Sequence, residues 1–325
     1  MMTNTTTTTF STQRFIIPIN HGHTEIALHA FVSEPDETSL NYSNKFPLPP
    51  LVILFHGAGG DHYHFDTVLP VLVRSGFRVL TCDLRYHGES QPQQDIQDDD
   101  DLVFNMQTLC DDIHHVLVWL KNNKHQSCSS GDLIFGGLSM GGILAQTCVD
   151  QPTKWELLGY TLRGLIAIAT PSIHMVWPRI AWMDVYRNAE SIDPAILQAA
   201  RQAISESAVH DDAKKEAVRA MALISDKALF QCLRSSADAL PPVPTREQVP
   251  GFDGHPIRLR QLLITGQSDD HTVNVMSAWK KLSDGYQGEG NIDSVFEVIQ
   301  DAGHMVPLDQ GGLVGNAIVD MFRRN

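Results

Sequence analysis

Apolar residues fall into two alternating patterns along this chain. Short apolar runs occur, unbroken at Leu51–Phe55 and Leu133–Phe135 (the strand Asp132–Phe135), and within the strand patterns Phe77–Cys82 and Gly164–Ala169. They predict strands buried on both faces, because an interior strand of a parallel sheet has no solvent side to mark with polar residues. Between these runs the apolar spacing changes to three and four. Phe65, Val68, Leu69, Leu72 and Val73 form one such stripe. Met106, Leu109, Ile113, Val116, Leu117 and Leu120 form another, across a helix over Asn105–Lys121. Strand patterns return at Arg260–Thr265 and Asp293–Ile299, with helices over Thr272–Leu282 and Leu313–Phe322. At the other end, Arg14–Ile19 and Thr24–Val32 read as two strands joined by the turn His21-Gly22-His23, and Ser33–Pro50 as a loop. Alternation of this kind predicts an α/β fold: a mostly parallel eight-stranded sheet with helices on both faces.

The alternation stops after the sixth strand. From Ser172 to about Pro256 there is no buried strand pattern. Helices are predicted from Asp193-Pro194, an N-cap with Pro at the first helical position, from Asp211 or Asp212, and from Asp226. The expected organisation is therefore a core of residues 14–170 and 259–325, a helical insertion at 171–258, and a disordered Thr-rich tail at 1–13.

Charge narrows the partners. A net charge of −14 over 325 residues argues against nucleic acid and against an anionic membrane surface. Asp95 and the run Asp98–Asp101 read as a solvated loop, with a calcium site as the alternative. Cys82, Cys110, Cys128, Cys148 and Cys232 are scattered and odd in number, which fits free thiols in a reducing compartment. No apolar run approaches the length of a membrane span, and the Thr-rich start lacks a secretory h-region. A cytoplasmic location is expected; an organellar transit peptide is the alternative, since the tail lacks acids and leads to Arg14.

Candidate chemistry gathers where strands end. Gly137-x-Ser139-x-Gly141 lies between the strand at Ile134-Phe135 and a helix from Met140 to about Asp150. A Ser at a sharp strand-to-helix turn is held in a strained conformation with its hydroxyl clear of the sheet. Glycines flank it because a Cβ at either position would strike the neighbouring strand or helix. Leu51–Phe55 runs into His56-Gly57-Ala58-Gly59-Gly60, a turn whose backbone N–H groups can face a ligand. Asp83 to Ser90 reads as a loop tied by side-chain-to-backbone hydrogen bonds. His62 and His64 read as polar loop positions, with ligand or metal contact as the alternative, and His114 and His115 as polar-face residues. His21 and His23 have the spacing of a metal pair, but no third ligand is near, so a surface hairpin is expected. Asp269 and Asp270 follow the seventh strand, and Gly303-His304 follows the eighth.

Together, His56 to Gly60, Asp83 to Ser90, Gly137 to Gly141, Gly266 to Asp269 and Gly303-His304 resemble the α/β-hydrolase superfamily, from about Leu51 to the C-terminus. The order Ser139, Asp269, His304 is that of its catalytic triad. The resemblance implies Ser139 as nucleophile, His304 as general base and acid, and Asp269 as the residue that orients the imidazole. It places the oxyanion between the backbone N–H groups of Ala58 and Met140. The family's Gly-x-x-Asp spacing selects Asp269 over Asp270. Tyr86 stands where many relatives have Gly, and Leu138 where many have His. The insertion resembles the family's cap. With it, the substrate pocket is expected at His56, Met175, Trp177, Trp182 and Met305. No cofactor and no metal are implied. The implied activity is hydrolysis of a small carboxylic ester, thioester or lactone. Acyl transfer, carbon–carbon bond hydrolysis and ligand binding on the same fold remain open.

Overall fold

The computed structural model describes residues 10–21, 24–35, 48–92, 102–123, 130–175, 181–187, 189, 191, 193–240, 259–285 and 293–323. Eight strands form one sheet: β1 (Phe10–His21), β2 (Thr24–Pro35), β3 (Leu51–Phe55), β4 (Arg78–Cys82), β5 (Gly131–Leu138), β6 (Tyr160–Ile168), β7 (Arg260–Gly266) and β8 (Asp293–Ile299). Their order is β1-β2-β4-β3-β5-β6-β7-β8. The β1–β2 and β2–β4 pairs are antiparallel and the rest are parallel. The eight-stranded, mostly parallel sheet read from the sequence is present.

The helices are α1 (Leu69–Arg74), α2 (Met106–Asn122), α3 (Met140–Val149), α4 (Pro152–Glu156), α5 (Ala181–Arg187), α6 (Pro194–Ser205), α7 (Asp211–Met221), α8 (Asp226–Ala239), α9 (Asp270–Gly285) and α10 (Val306–Arg323), the last broken at Gln310. Along β3, Leu51, Ile53 and Phe55 enter one core with Leu109, Ile113 and Leu144 of α2 and α3. Val52 and Leu54 enter the other with Leu72, Val314 and Ile318 of α1 and α10. Because successive strand residues serve opposite cores, the whole run had to be apolar.

Two expectations change. The tail does not extend to residue 13, because Phe10 to Gln13 pair with Val32 to Pro35, and Thr12 Oγ1 lies 2.8 Å from Ser33 Oγ. Phe10 and Thr12 are residue types that strands favour, so this end of the polar stretch suits pairing with β2. The apolar stripe from Phe65 to Val73 is not one helix: a 3₁₀ turn at His62–Phe65 precedes α1. Pro70 explains the break, since proline is accommodated in a first helical turn and not within a helix.

Between β6 and β7 the described chain is helical, comprising α5 to α8. Asp193 caps α6 by accepting from Ala195 N–H at 2.8 Å, and Ser225 caps α8 by accepting from Ala228 N–H at 3.2 Å. Cys82, Cys110, Cys148 and Cys232 are free and buried. No described helix is long and apolar enough to cross a membrane.

Candidate active site

Ser139 sits between the end of β5 and the start of α3 with φ 52° and ψ −115°. A residue with a Cβ pays roughly 1–3 kcal/mol for such a conformation. Its own backbone holds it there: Ser139 N–H donates to Ile168 O of β6 at 2.8 Å, and Ser139 O accepts from Gly142 N–H and Ile143 N–H at 2.9 and 3.2 Å. The flanking glycines are required by close approach. A Cβ on Gly137 would lie 2.2 Å from the Gly141 carbonyl carbon, and one on Gly141 would lie 2.2 Å from Phe55 O. Ser139 is half-buried, and among the described residues its hydroxyl makes no hydrogen bond. It opens on a cavity of about 170 Å³.

His304 reaches the same cavity from the loop after β8. Its Nδ1–H donates to Asp269 Oδ2 at 2.6 Å. Asp269 Oδ1 accepts from Thr272 N–H at 3.3 Å. Burial would raise the Asp269 carboxyl, but the hydrogen bonds and charge of His304 and the Thr272 contacts outweigh it and hold the group below the usual carboxylate range. An ionised Asp269 fixes the proton on Nδ1 and leaves Nε2 as the free imidazole nitrogen. Asp270 is exposed at the start of α9, so geometry as well as spacing selects Asp269.

Ala58 and Met140 line the cavity beside Ser139. Met140 is the first residue of α3, where a backbone N–H has no carbonyl one turn back, and the helix dipole is positive there. Apolar lining comes from Leu138 and Ile143 of the sheet side, Ile204 of α6, and Leu233 and Leu240 on the α8 side. Met305 lines the cavity as expected.

His56 does not. It is fully buried, its Nδ1–H donates to Gly57 O at 2.8 Å and its Nε2 accepts from Leu84 N–H at 3.0 Å. Both ring nitrogens are thus spent on holding two loops together. Met175 packs against the core and is absent from the cavity lining among the described residues. Trp177 lies outside the described residues, as does the side chain of Trp182 on α5. Ile204, Leu233 and Leu240 were missed because an apolar helical stripe reads the same whether it faces a core or a cavity.

The loop Asp83 to Ser90 is tied as expected. Asp83 accepts from the N–H groups of His62 and Glu89 at 2.8 Å each, and Ser90 Oγ–H donates to Asp83 O at 2.7 Å. Tyr86 takes φ 65°, the left-handed conformation that favours glycine. Its ring is buried, with its centroid 6.4 Å from that of Phe104. His62 and His64 are buried instead of lying in a polar loop. His62 stacks on Phe31 with centroids 3.7 Å apart and its Nδ1–H donates to Asp83 Oδ1 at 2.7 Å.

Burial pushes the imidazoles of His56, His64 and His87 down, to about 4, 3 and 3 respectively. The folded protein keeps these rings neutral while the unfolded chain takes up protons below about 6.5. Their contribution to stability is therefore complete above that value and is lost as the pH falls toward 4. The urea midpoint is expected to be lower at pH 5 than at pH 7, with a smaller difference in His64→Phe. A midpoint that does not move over that range would contradict neutral burial.

A mostly parallel sheet carrying Ala58, Ser139, Asp269 and His304 at the carboxyl ends of β3, β5, β7 and β8 is the arrangement of an α/β hydrolase. A family model described as "Alpha/beta hydrolase family" matches residues 52–315, and the chain belongs to that family. Among solved structures it is similar to a thermophilic esterase from Thermogutta terrifontis, at 22% identity and TM-score 0.64 over 96% of this chain and 98% of that one. It is similar to a bromoperoxidase from Bacillus anthracis, at 15% identity and TM-score 0.62 over 96% and 100%. The enol-lactonase from Burkholderia xenovorans is also similar, at 17% identity and TM-score 0.60 over 94% and 100%. At these identities the likeness establishes the fold. No curated protein matches the sequence.

Proposed function

We propose that the protein is a serine hydrolase that cleaves a small carboxylic ester, thioester or lactone through an acyl-enzyme. The observation that carries this reading is the opening of three groups onto one apolar cavity: the unbonded Ser139 hydroxyl, the His304 ring held by Asp269, and the N-terminus of α3. A Ser hydroxyl is a weak nucleophile at neutral pH, so His304 Nε2 takes its proton as Oγ attacks the acyl carbon. Asp269 stabilises the imidazolium that results. Negative charge on the carbonyl oxygen is received by the Ala58 and Met140 N–H groups. The imidazolium returns its proton to the leaving group. Water activated by the same nitrogen then releases the acid.

Helices α6 and α8 supply Ile204 and Leu233 to the cavity, in the role of a cap that shapes the acyl site. A volume of about 170 Å³ is below the roughly 300–1,000 Å³ of sites for drug-sized ligands. Short acyl groups follow.

The test is labelling with a small alkyl fluorophosphonate alongside turnover of p-nitrophenyl esters from acetate to palmitate. Labelling is expected, with kcat/KM for butyrate above that for palmitate by about tenfold or more, since extra methylenes do not fit a packed wall. Folded protein that resists the probe overturns the nucleophile assignment. Equal rates for butyrate and palmitate overturn the size limit alone.

A further inference from the structure

The loop that carries His304 follows β8, which ends the strand order and, among the described residues, pairs only with β7. A loop after an edge strand has no neighbouring strand end on its outer side to hold it. Here the turn between α6 and α7 packs against the loop. His304 N–H donates to Ser207 O at 2.8 Å. The approach is close enough that a Cβ on Gly303 would lie 2.2 Å from the same oxygen.

Asp309, in the first turn of α10, joins the two segments. Its Oδ1 accepts from Val209 N–H at 3.0 Å and His210 N–H at 2.9 Å. Its Oδ2 accepts from Gly303 N–H at 2.9 Å and shares the Val209 N–H at 3.0 Å. One carboxylate thus serves three backbone donors, two from the insertion and one from the residue before His304. Bonds of this charged kind are about twice as strong as neutral ones. Asp309 itself does not line the cavity.

We propose that Asp309 is a positioning residue: its carboxylate fastens the α6–α7 turn to the His304 loop and so sets where the imidazole meets Ser139. This rests on the reading of Ser139 and His304 as the reacting pair. The Nδ1 bond to Asp269 fixes the tautomer and one edge of the ring, but the ring also moves with its backbone. A general base must come within about 2.6–3.2 Å of the proton it takes, and an error of 1 Å costs about a hundredfold.

The same limb reaches the other catalytic loop. Arg219, near the end of α7, pairs with the buried carboxylate of Asp61 at 2.5 Å, and Met221 lies against Gly59. The segment from Ser207 to Met221 therefore braces both the His304 loop and the loop that presents Ala58. It belongs to the fixed frame of the site.

Asp309→Asn is the test, because it keeps the shape and removes the charge. The expected result is a fall in kcat for p-nitrophenyl butyrate of about tenfold to a hundredfold, with KM within about twofold. The rate constant for fluorophosphonate labelling falls by the same factor when expressed per labelled enzyme. A purely structural role would lower the thermal midpoint and the labelled fraction and leave both per-enzyme rates alone. Asp309→Glu keeps the carboxylate one methylene further out and is expected to lose a smaller factor in kcat; it replaces the Asn variant if that does not fold. Wild-type rates in the folded variant overturn the proposal. Wild-type protein that does not label removes the underlying reading instead, so the two failures are distinguishable.

Discussion

Ser139→Ala is expected to lower kcat for p-nitrophenyl butyrate by about 10⁴-fold or more, with the protein still folded. The reason is chemical. Alanine keeps the Cβ, so the backbone strain at φ 52°, ψ −115° is unchanged, and the hydroxyl that opens on the cavity is all that is lost. In the proposed mechanism His304 then has no hydroxyl to deprotonate, and the N–H groups of Ala58 and Met140 have no adduct to receive. Ser139→Gly separates strain from chemistry. It is expected to be equally inactive and more stable than Ser139→Ala by about 1 kcal/mol, because only the Cβ makes this conformation costly. That corresponds to a thermal midpoint higher by about 2 °C in a chain of this size. Residual turnover near wild type in the Ala variant would remove Ser139 from the mechanism. A Gly variant no more stable than the Ala variant would show that the turn is relaxed.

The largest stability effect is expected at Asp112. Arg85 Nε–H and Nη2–H donate to Asp112 Oδ2 and Oδ1 at 2.7 and 2.6 Å, and Nη1–H donates to Val103 O at 2.8 Å. The Arg85 and Asp112 side chains are only 1% and 2% exposed. Asp112→Ala leaves a guanidinium, which cannot shed its proton, buried without the carboxylate that balances its charge. The expected loss is about 3–5 kcal/mol, measured as unfolding free energy in urea. Replacing the pair together, Arg85→Met with Asp112→Leu, is expected to recover most of that loss, since no charge is then stranded. An Asp112→Ala variant within about 1 kcal/mol of wild type would mean that water reaches the guanidinium.

The Arg85–Asp112 pair also shows where sequence reading stops. The loop from Asp83 to Ser90 was legible as self-tied, because Asp, Ser and Gly next to a strand end find backbone donors and acceptors locally. That its arginine crosses to α2 was not legible, because Asp112 reads as one more polar residue of an amphipathic helix. His56 is a similar case. Its place in the Gly-rich turn suggested contact with substrate, yet both ring nitrogens bind backbone, a matter of side-chain direction. Likewise, Phe10 to Gln13 joined β1 because β2 offered an edge, and Pro70 moved a helix start that the apolar stripe alone set too early.

By itself, the sequence determined the strand and helix alternation, the parallel sheet and the position of each chemical group in the chain. These depend on short-range properties: the period of apolar residues, glycines where backbones touch, and caps at helix starts. Ser139, Asp269 and His304 were readable because each follows a strand closely, and a sheet gathers its strand ends. Only the tertiary structure decided that both ring nitrogens of His56 turn to backbone, that Ile204, Leu233 and Leu240 line the cavity, and that Asp309 holds the His304 loop to the insertion. The bonds from Asp309 to the insertion join residues 99 and 100 positions apart, through side-chain directions and distances that no local pattern encodes.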